Sequence, residues 1–356
     1  MKMHNFSAGP GILPKSVMAK AAEACIEFNG IGMSLLEISH RSKPFEAVMN
    51  EARSLSKELL GASDDYEALF LGGGASSQFY MVPMNLLGEN ETAAYTNTGT
   101  WADKAIKEAK LFGNVNVLAS SKDSNYNFIP KGYTIPSDSK YLHLTSNNTI
   151  FGTQLQSFPD TDVPLVCDMS SDIFSREIPI DKFGLIYAGA QKNMGPAGAT
   201  LVLVRKDMLG TVTRKMPSMA DYSLHIKDGS MYNTPPVFPI YVSLLTMQWV
   251  KEQGGVAAMA VRNEAKSNLL YSEIDRNAMF SGTTAVEDRS RMNPCFLAAT
   301  PEAEAMLSDL AKANGVDGIK GHRSVGGFRA SMYNAMEIES VQVLVDLMKA
   351  VEEKLG

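Results

Sequence analysis

Short apolar runs alternate with longer amphipathic segments along the first two-thirds of the chain. The short runs read as buried strands, and the longer segments repeat apolar residues with the spacing of helices. The predicted strands are residues 68–71, 92–96, 115–119, 141–145, 164–168, 184–188 and 199–205. The predicted helices are residues 14–28, 43–60, 78–87, 101–112, 240–253 and 256–274.

Strands that alternate with helices indicate an α/β fold with a mostly parallel sheet. Residues 217–239 are rich in turn formers and contain Pro235-Pro236, so they cannot form one regular element. After about residue 279 the pattern becomes strand, helix (301–314), glycine-rich loop, strand and closing helix (338–355). We therefore predict a large domain with a mostly parallel, seven-stranded-type sheet flanked by helices, plus a smaller α+β C-terminal domain.

The length of the chain supports two domains, because 356 residues exceed what one compact core usually holds. The pattern of strands and helices changes near residues 255–275, and we place the boundary between the two domains there. We predict an N-terminal segment near the active site (1–15), a large cofactor-binding domain (16–260) and a small C-terminal domain (261–356).

Composition narrows the class of partner. The formal net charge of -6 argues against binding to nucleic acid or to an anionic membrane surface. No stretch approaches 18 uncharged apolar residues, and the N-terminus lacks the apolar region of a signal peptide. Three widely spaced cysteines (Cys25, Cys167 and Cys295) form no metal-binding pair. We expect a reduced, cytoplasmic protein without a metal site.

Lys192 follows the apolar run 185–188 and is surrounded by small residues. An ordinary solvated lysine is the alternative, but small neighbours allow the backbone to approach a ligand closely. A second run, 163–167, ends on Asp168, which would face the crevice at the carboxyl ends of the strands. Asp172 resembles a turn or capping acid. A lysine that forms an imine and an acid that keeps a pyridine nitrogen protonated are what a pyridoxal 5′-phosphate enzyme needs.

Two strand-to-helix junctions add candidates. The glycine-rich turn 72–77 presents backbone N–H groups at a helix N-terminus, where an anion can bind. The alternative interpretation is a tight turn that only needs the flexibility of glycine. The sequence of the turn matches neither the Walker motif nor GxGxxG. Trp101, at the next junction, could stack on a cofactor ring or pack in the core.

Cationic side chains cluster in loops. His40 and Arg41 precede the second predicted helix, while His322, Arg323 and Arg329 flank a glycine-rich loop. The planar fork of arginine matches carboxylate and phosphate oxygens. Any one of these residues alone would be read as surface charge, but the set indicates anionic substrates.

Together these motifs resemble the phosphoserine aminotransferase family, whose members are class V, fold-type I homodimers that depend on pyridoxal phosphate. The resemblance runs the whole length of the chain. Its landmarks are segments 6–10 (FSAGP), 39–41 (SHR), 72–79, 187–193 (YAGAQKN), 233–236 (NTPP) and 321–336. Some family members carry an arginine in the glycine-rich loop where this chain has Ser76.

The resemblance implies a role for each candidate residue. Lys192 would form the imine with pyridoxal phosphate, and Asp168 would pair with the ring nitrogen. The other implied cofactor-binding residues are Trp101 on the ring, Thr149 near the phenolic oxygen, Ala75, Ser76 and Gln191 at the phosphate, and Asn233 and Thr234 of the partner subunit. The implied substrate-binding residues are Arg329 at the α-carboxylate, His40 and Arg41 at the distal anionic group, and His322 and Arg323 of the partner subunit.

The implied reaction is ping-pong transamination by a cytoplasmic homodimer with shared active sites. 3-Phosphohydroxypyruvate and L-glutamate would give O-phospho-L-serine and 2-oxoglutarate. A phosphorylated hydroxythreonine of pyridoxine synthesis is a second implied substrate. The alternatives are another class V enzyme (an alanine–glyoxylate-type transaminase or a cysteine desulfurase) and a non-enzymatic anion-binding module. Gln191 stands where a desulfurase usually has a histidine.

Overall fold

The computed structural model of the protein describes residues 2–356. Its helices are α1 Lys15–Ile26, α2 Lys43–Leu60, α3 Gly74–Leu86, α4 Thr100–Ala109, α5 Tyr222–Lys227, α6 Val237–Glu252, α7 Gly255–Arg276, α8 Pro301–Ala313 and α9 Ile338–Leu355. Its strands are β1 His4–Asn5, β2 Tyr66–Leu71, β3 Thr92–Asn97, β4 Asn114–Ser120, β5 Leu142–Thr145, β6 Asn147–Asn148, β7 Thr153–Gln154, β8 Leu165–Asp168, β9 Phe183–Gly189, β10 Thr200–Arg205, β11 Phe280–Gly282, β12 Cys295–Ala298, β13 Val316–Asp317 and β14 Phe328–Arg329.

The large domain is built on a seven-stranded sheet with the order β2-β10-β9-β8-β5-β3-β4. Strand β10 runs antiparallel to both of its neighbours, and the other pairings are parallel. Strands that are buried on both faces read as continuous apolar runs, which is why the sequence pattern identified them. The predicted fold class is confirmed.

Helices cover both faces of this sheet. On β8, Leu165 and Cys167 join the core beneath α2 and α6, while Val166 joins the core beneath α3 and α4. Side chains alternate along a strand, so Asp168 lies on the same face as Val166. That alternation places the carboxylate on the α3–α4 side.

The small domain packs α7, α8 and α9 against the three-stranded sheet β11-β12-β14. Phe296 and Phe328 stack at 5.2 Å between ring centroids in its core, and Phe280 meets both edge-on. Strand β1 pairs with β13, so the start of the chain is anchored on this domain.

The predicted boundary between residues 260 and 261 falls inside α7, a continuous helix of 22 residues. Helix α7 contacts α6 of the large domain and α9 and β11 of the small domain. The two domains are therefore joined by a continuous helix and not by a flexible linker. The division into 16–260 and 261–356 stays a prediction.

Two element predictions need correction. Helix α3 begins at Gly74, four residues before the predicted start, because Gly73 adopts the left-handed conformation (φ 92°) that lets a helix begin inside the glycine-rich turn. Helix α6 starts at Val237 rather than at residue 240, because Pro239 lies in its first turn, where proline is tolerated. As predicted, residues 217–239 do not form one regular element; they contain the short helix α5, capped by the Asp221 side chain.

Among residues 2–356 no helix has the length and apolar character needed to cross a bilayer. The same residues contain no group of three or more His, Cys, Asp or Glu side chains that could hold a metal ion.

Candidate active site

The candidate site lies at the carboxyl edge of the central sheet. Strands β8 and β9 are parallel neighbours that end at Asp168 and Gly189. Helices α3 and α4 begin at the same edge, because each follows a strand parallel to β8. Carboxyl ends of parallel strands and helix N-termini together form the usual ligand crevice of α/β sheets.

Lys192 lies three residues beyond β9 and is half-buried. Its Nζ donates a hydrogen bond to Thr149 Oγ1 at 2.8 Å and lies 5.4 Å from the centre of the Trp101 ring. Burial lowers the pKa of Lys192; Asp168 opposes this effect, and the Arg329 guanidinium adds to it. The amine is therefore neutral at a lower pH than an ordinary lysine.

Asp168 is buried, with 6% of its surface exposed. Ser170 donates two hydrogen bonds to Asp168 Oδ1, from its backbone N at 2.9 Å and from its Oγ at 2.6 Å. Burial raises the pKa of Asp168, while Lys192 and Ser170 favour the ionised form. The carboxylate is thus oriented and faces a cationic partner.

Asp172 is not the turn or capping acid that the sequence suggested. It is buried, accepts hydrogen bonds from Ser146 and from Gln154 Nε2 (3.2 Å), and lies 3.8 Å from the Arg176 guanidinium. The sequence could not show that Asp172 is buried, because Ser146 and Gln154 lie 26 and 18 residues away along the chain. Asp168 raises the pKa of Lys192 more than Asp172 does, which supports the choice of Asp168.

The N-terminus of α3 is open to a ligand. Its N-cap, Gly73, provides no side-chain cap, so the first N–H groups, near Ala75 and Ser76, are free to bind an anion. A Cβ on Gly73 would lie 2.6 Å from Ser77 Oγ, so glycine is required here for space as well as for its φ. Gln191, half-buried beside Lys192, approaches Gly189 so closely that a Cβ there would lie 2.7 Å from Gln191 Oε1.

Trp101 is the second residue of α4 and is half-buried. One of its ring faces is near Lys192 Nζ, and its Nε1 is buried without a hydrogen-bond partner in the part of the chain that the structure describes. A purely structural tryptophan normally has its N–H satisfied. The ring also packs against two neighbouring hydrophobic clusters, so its stacking on a cofactor stays a prediction.

Arg329 and His322 reach the same site from the small domain. Arg329 Nη1 donates to Thr149 O at 3.2 Å, and its Nε is buried without a partner among residues 2–356. Burial lowers the pKa of His322, with added effects of Arg329 and Arg323. Val325, from the same loop, packs with Phe151.

In the single chain the loop that carries His322 and Arg323 lies near Arg329, and its Val325 packs against the cluster that includes Phe151. The assignment of His322 and Arg323 to the site of a partner subunit stays a prediction.

A single chain does not test the roles of four predicted residues. Arg41, Asn233 and Thr234 are exposed. His40 is half-buried, and its Nε2 has no partner among the described residues. Asn233 lines a cavity of about 320 Å³ together with Gly72, Gly73 and Ser77 of the glycine-rich turn.

The sequence did not assign roles to Ser170, Gly11 or Tyr333. Gly11 N–H donates to Gln191 O at 2.7 Å, and a Cβ on Gly11 would lie 2.7 Å from Lys192 O. Tyr333 Oη donates to Ala8 O across the N-terminal segment. A serine two residues after an acid is a turn signal that could have identified Ser170.

At this edge Lys192 lies beside the Trp101 ring and interacts electrostatically with the buried Asp168, as expected of an aminotransferase. The chain belongs to the class-V aminotransferase family, whose family model matches residues 3–344.

Within that family it is similar to phosphoserine aminotransferases. The protein of that name from Flavobacterium johnsoniae is 63% identical over 356 residues, covering 100% of both chains. The phosphoserine aminotransferase structure from Bacillus circulans subsp. alkalophilus has 45% identity and a TM-score of 0.96, over 100% of this chain and 99% of that one. The pyridoxal-phosphate-bound enzyme from Trichomonas vaginalis has 38% identity and a TM-score of 0.92, over 98% and 100%. The predicted resemblance is confirmed.

Proposed function

We propose that this protein is a phosphoserine aminotransferase. It transfers the amino group of L-glutamate to 3-phosphohydroxypyruvate and forms O-phospho-L-serine and 2-oxoglutarate. The observation that carries the proposal is the position of Lys192 Nζ, next to Thr149 and the Trp101 ring and coupled to the buried Asp168. Full-length identity to phosphoserine aminotransferases supports it.

The site fits pyridoxal phosphate at three points. The uncapped N-terminus of α3 offers N–H groups for a phosphate, the Trp101 face offers a stacking surface, and Asp168 offers a carboxylate for a protonated ring nitrogen. When bound, pyridoxal phosphate supplies an aldehyde that condenses with amines and a ring that accepts electrons.

Lys192 then has two tasks, anchoring and proton transfer. Because burial lowers its pKa, Nζ becomes neutral at a lower pH than an ordinary lysine, and the neutral amine can remove a proton from substrate Cα. The Thr149 hydroxyl, 2.8 Å from Nζ, restrains the amine during this transfer. Asp168 stays oriented because Ser170 holds Oδ1 by two hydrogen bonds.

Arg329 is placed to bind the substrate α-carboxylate. Its buried, unpartnered Nε would otherwise cost roughly 1–3 kcal/mol, which an anion that accepts from it recovers. His322 and Arg323 lie nearby and would bind the distal phosphate of phosphoserine or the distal carboxylate of glutamate.

The remaining predicted residues fit a homodimer. Arg41, Asn233 and Thr234 are exposed and chemically suited to anions. We propose that these residues, with His40, complete the site of a second copy of the chain. The three cysteines are unpaired, which suits a reducing compartment such as the cytoplasm.

A cysteine desulfurase would need a reactive, accessible thiol. Burial raises the pKa of Cys167 and raises that of Cys295 to about 12, so neither forms a thiolate readily. Cys25 belongs to α1 and is half-buried. An alanine–glyoxylate-type enzyme would not need the additional cations His322 and Arg323.

A substrate panel tests the proposal. Phosphoserine, glutamate, alanine and serine are compared as amino donors to the purified protein with added pyridoxal phosphate. Phosphoserine and glutamate should each change the cofactor absorbance and support turnover, whereas alanine and serine should be poor donors. Equal use of alanine would contradict the assignment, and a colourless protein would exclude the enzyme class. Phosphohydroxythreonine, which stays a prediction, belongs in the same panel.

A further inference from the structure

Lys266, on α7, is a buried lysine remote in sequence from the residues of the candidate site. Only 1% of its surface is exposed. Its Nζ donates hydrogen bonds to two backbone carbonyls, Met332 O at 3.0 Å and Tyr333 O at 2.7 Å. Burial, with a smaller effect of Arg262, lowers the pKa of Lys266 to about 7. Buried lysines are rare unless they are paired, so this one needs an explanation.

The two carbonyls belong to residues 330–336, which we call the C-terminal strap. The strap reaches the lysine loop directly, because Asn334 N–H donates to Asn193 Oδ1 at 2.8 Å and Asn193 follows Lys192. Helix α7 holds the strap at a second point, where Asn263 Nδ2 donates to Asn334 Oδ1 at 2.8 Å.

The strap also holds the N-terminal segment. Tyr333 Oη donates to Ala8 O, and the Tyr333 ring packs so tightly on Gly11 that a Cβ there would lie 2.6 Å from Tyr333 Cδ2. Gly11 N–H in turn donates to Gln191 O. The backbone on both sides of Lys192 is therefore supported through the strap, from Gln191 and from Asn193.

We infer that Lys266 is a positioning residue for transamination: by fixing the carbonyls of Met332 and Tyr333 it holds the C-terminal strap against the lysine loop and so sets the position of Lys192. Lys266 acts through the strap and touches no substrate. Two hydrogen bonds from one amine hold two consecutive carbonyls of the strap at once. An apolar side chain of equal size cannot do this.

The inference rests on the proposed function, since it assigns Lys192 as the reacting amine. Lys266→Met keeps the length of the side chain and removes both hydrogen bonds. Leu307→Ala is the matched control, because Leu307 is fully buried on α8 in the small-domain core and its truncation leaves both Lys266 hydrogen bonds in place. It should destabilise the same domain without removing the polar anchor of the strap.

Two measurements are made on wild type and both variants. The first is amide hydrogen exchange of residues 6–12 and 330–336, with and without pyridoxal phosphate. The second is kcat and KM for phosphoserine. In Lys266→Met both segments should exchange faster and kcat should fall about tenfold with a smaller change in KM, because a misplaced reacting group slows chemistry more than binding. Leu307→Ala should leave both quantities near wild type.

Unchanged exchange in Lys266→Met, or an equal loss of kcat in Leu307→Ala, would overturn the inference. If wild type itself fails to transaminate, the proposed function is wrong, while the exchange data still show whether Lys266 holds the strap.

Tyr333→Phe provides an independent variant should Lys266→Met fail to fold. It removes the hydrogen bond from Tyr333 Oη to Ala8 O, together with the long one that Oη accepts from Asn293 Nδ2 (3.4 Å), and it should accelerate exchange of residues 6–12 and lower kcat. Where both variants fold, their combined effect on kcat should be smaller than the product of the single effects, because they act through one segment. Independent effects, or a wild-type kcat in Tyr333→Phe, would contradict the strap.

Discussion

Asp168 and Lys192 determine each other's protonation. Burial pushes each towards its neutral form, and the opposite charge of the other pushes it back. The sequence identified both residues because each follows an apolar run. It could not reveal the buried environment of Asp172, since Ser146 and Gln154 contact it only through tertiary structure.

Asp168→Asn should lower the pKa of Lys192 further, because the carboxylate that raises it is gone. It should also reduce kcat for phosphoserine by about 10²–10³-fold, the usual effect of removing one group that stabilises charge in the transition state. Steady-state kinetics measure the second effect. The pH dependence of Lys192 reactivity towards an amine-directed reagent in the apoprotein measures the first.

Asp172→Asn is the control for this substitution. Asp172 is also buried, but it contributes less to the pKa of Lys192. A larger shift from Asp172→Asn than from Asp168→Asn would mean that the two carboxylates have been assigned in the wrong order.

The helices and strands were the features of this protein that the sequence predicted best. The predicted limits of α2 and α9 agree with the structure, because amphipathic periodicity and flanking proline or polar residues define them locally. The start of α3 was missed by four residues. Glycine disfavours helices on average, and only the left-handed Gly73 shows why the helix begins there.

Gly73→Ala should weaken cofactor binding through α3. A left-handed φ disfavours alanine by about 1–2 kcal/mol, and the new Cβ would meet Ser77 Oγ at 2.6 Å. The affinity for pyridoxal phosphate should therefore fall roughly fivefold or more, measured by spectroscopic titration of the apoprotein. Gly72→Ala is the matched control, since its Cβ would meet nothing within 4 Å. Equal effects of the two substitutions would show that α3 geometry is not responsible.

At the scale of the whole molecule, the seven-stranded sheet followed from the sequence, but the contacts between distant loops at the site did not. Such contacts depend on packing that periodicity does not encode. The loop carrying His322 and Arg323 lies near Arg329 in the single chain, and its expected role in the site of another subunit stays a prediction. Arg41 remains exposed in the single chain, which is what a residue serving a second copy would show.

Mixing two inactive variants tests this sharing of sites. Arg41→Ala should cripple the neighbouring site, and Lys192→Ala should cripple its own. Random association of the two variants makes half of all dimers hybrid, and each hybrid has one intact site of two. About a quarter of wild-type activity should therefore return after the variants are unfolded and refolded together. No recovery would place Arg41 in the site of its own chain, and an active Arg41→Ala variant before mixing would place it outside the site.

Lys266 also has a thermodynamic consequence for folding. In the unfolded chain its amine has the ordinary lysine pKa of 10.5, whereas in the native protein the pKa is about 7. Between these values the unfolded chain binds the extra proton, so folding at pH 8–9 releases one to solvent and this group makes the native state more stable as the pH rises. The free energy of unfolding of wild type minus that of Lys266→Met should increase by about 1 kcal/mol per pH unit across that window. Denaturant titrations at pH 7, 8 and 9 measure it, and a difference independent of pH would show that Lys266 is charged in both states.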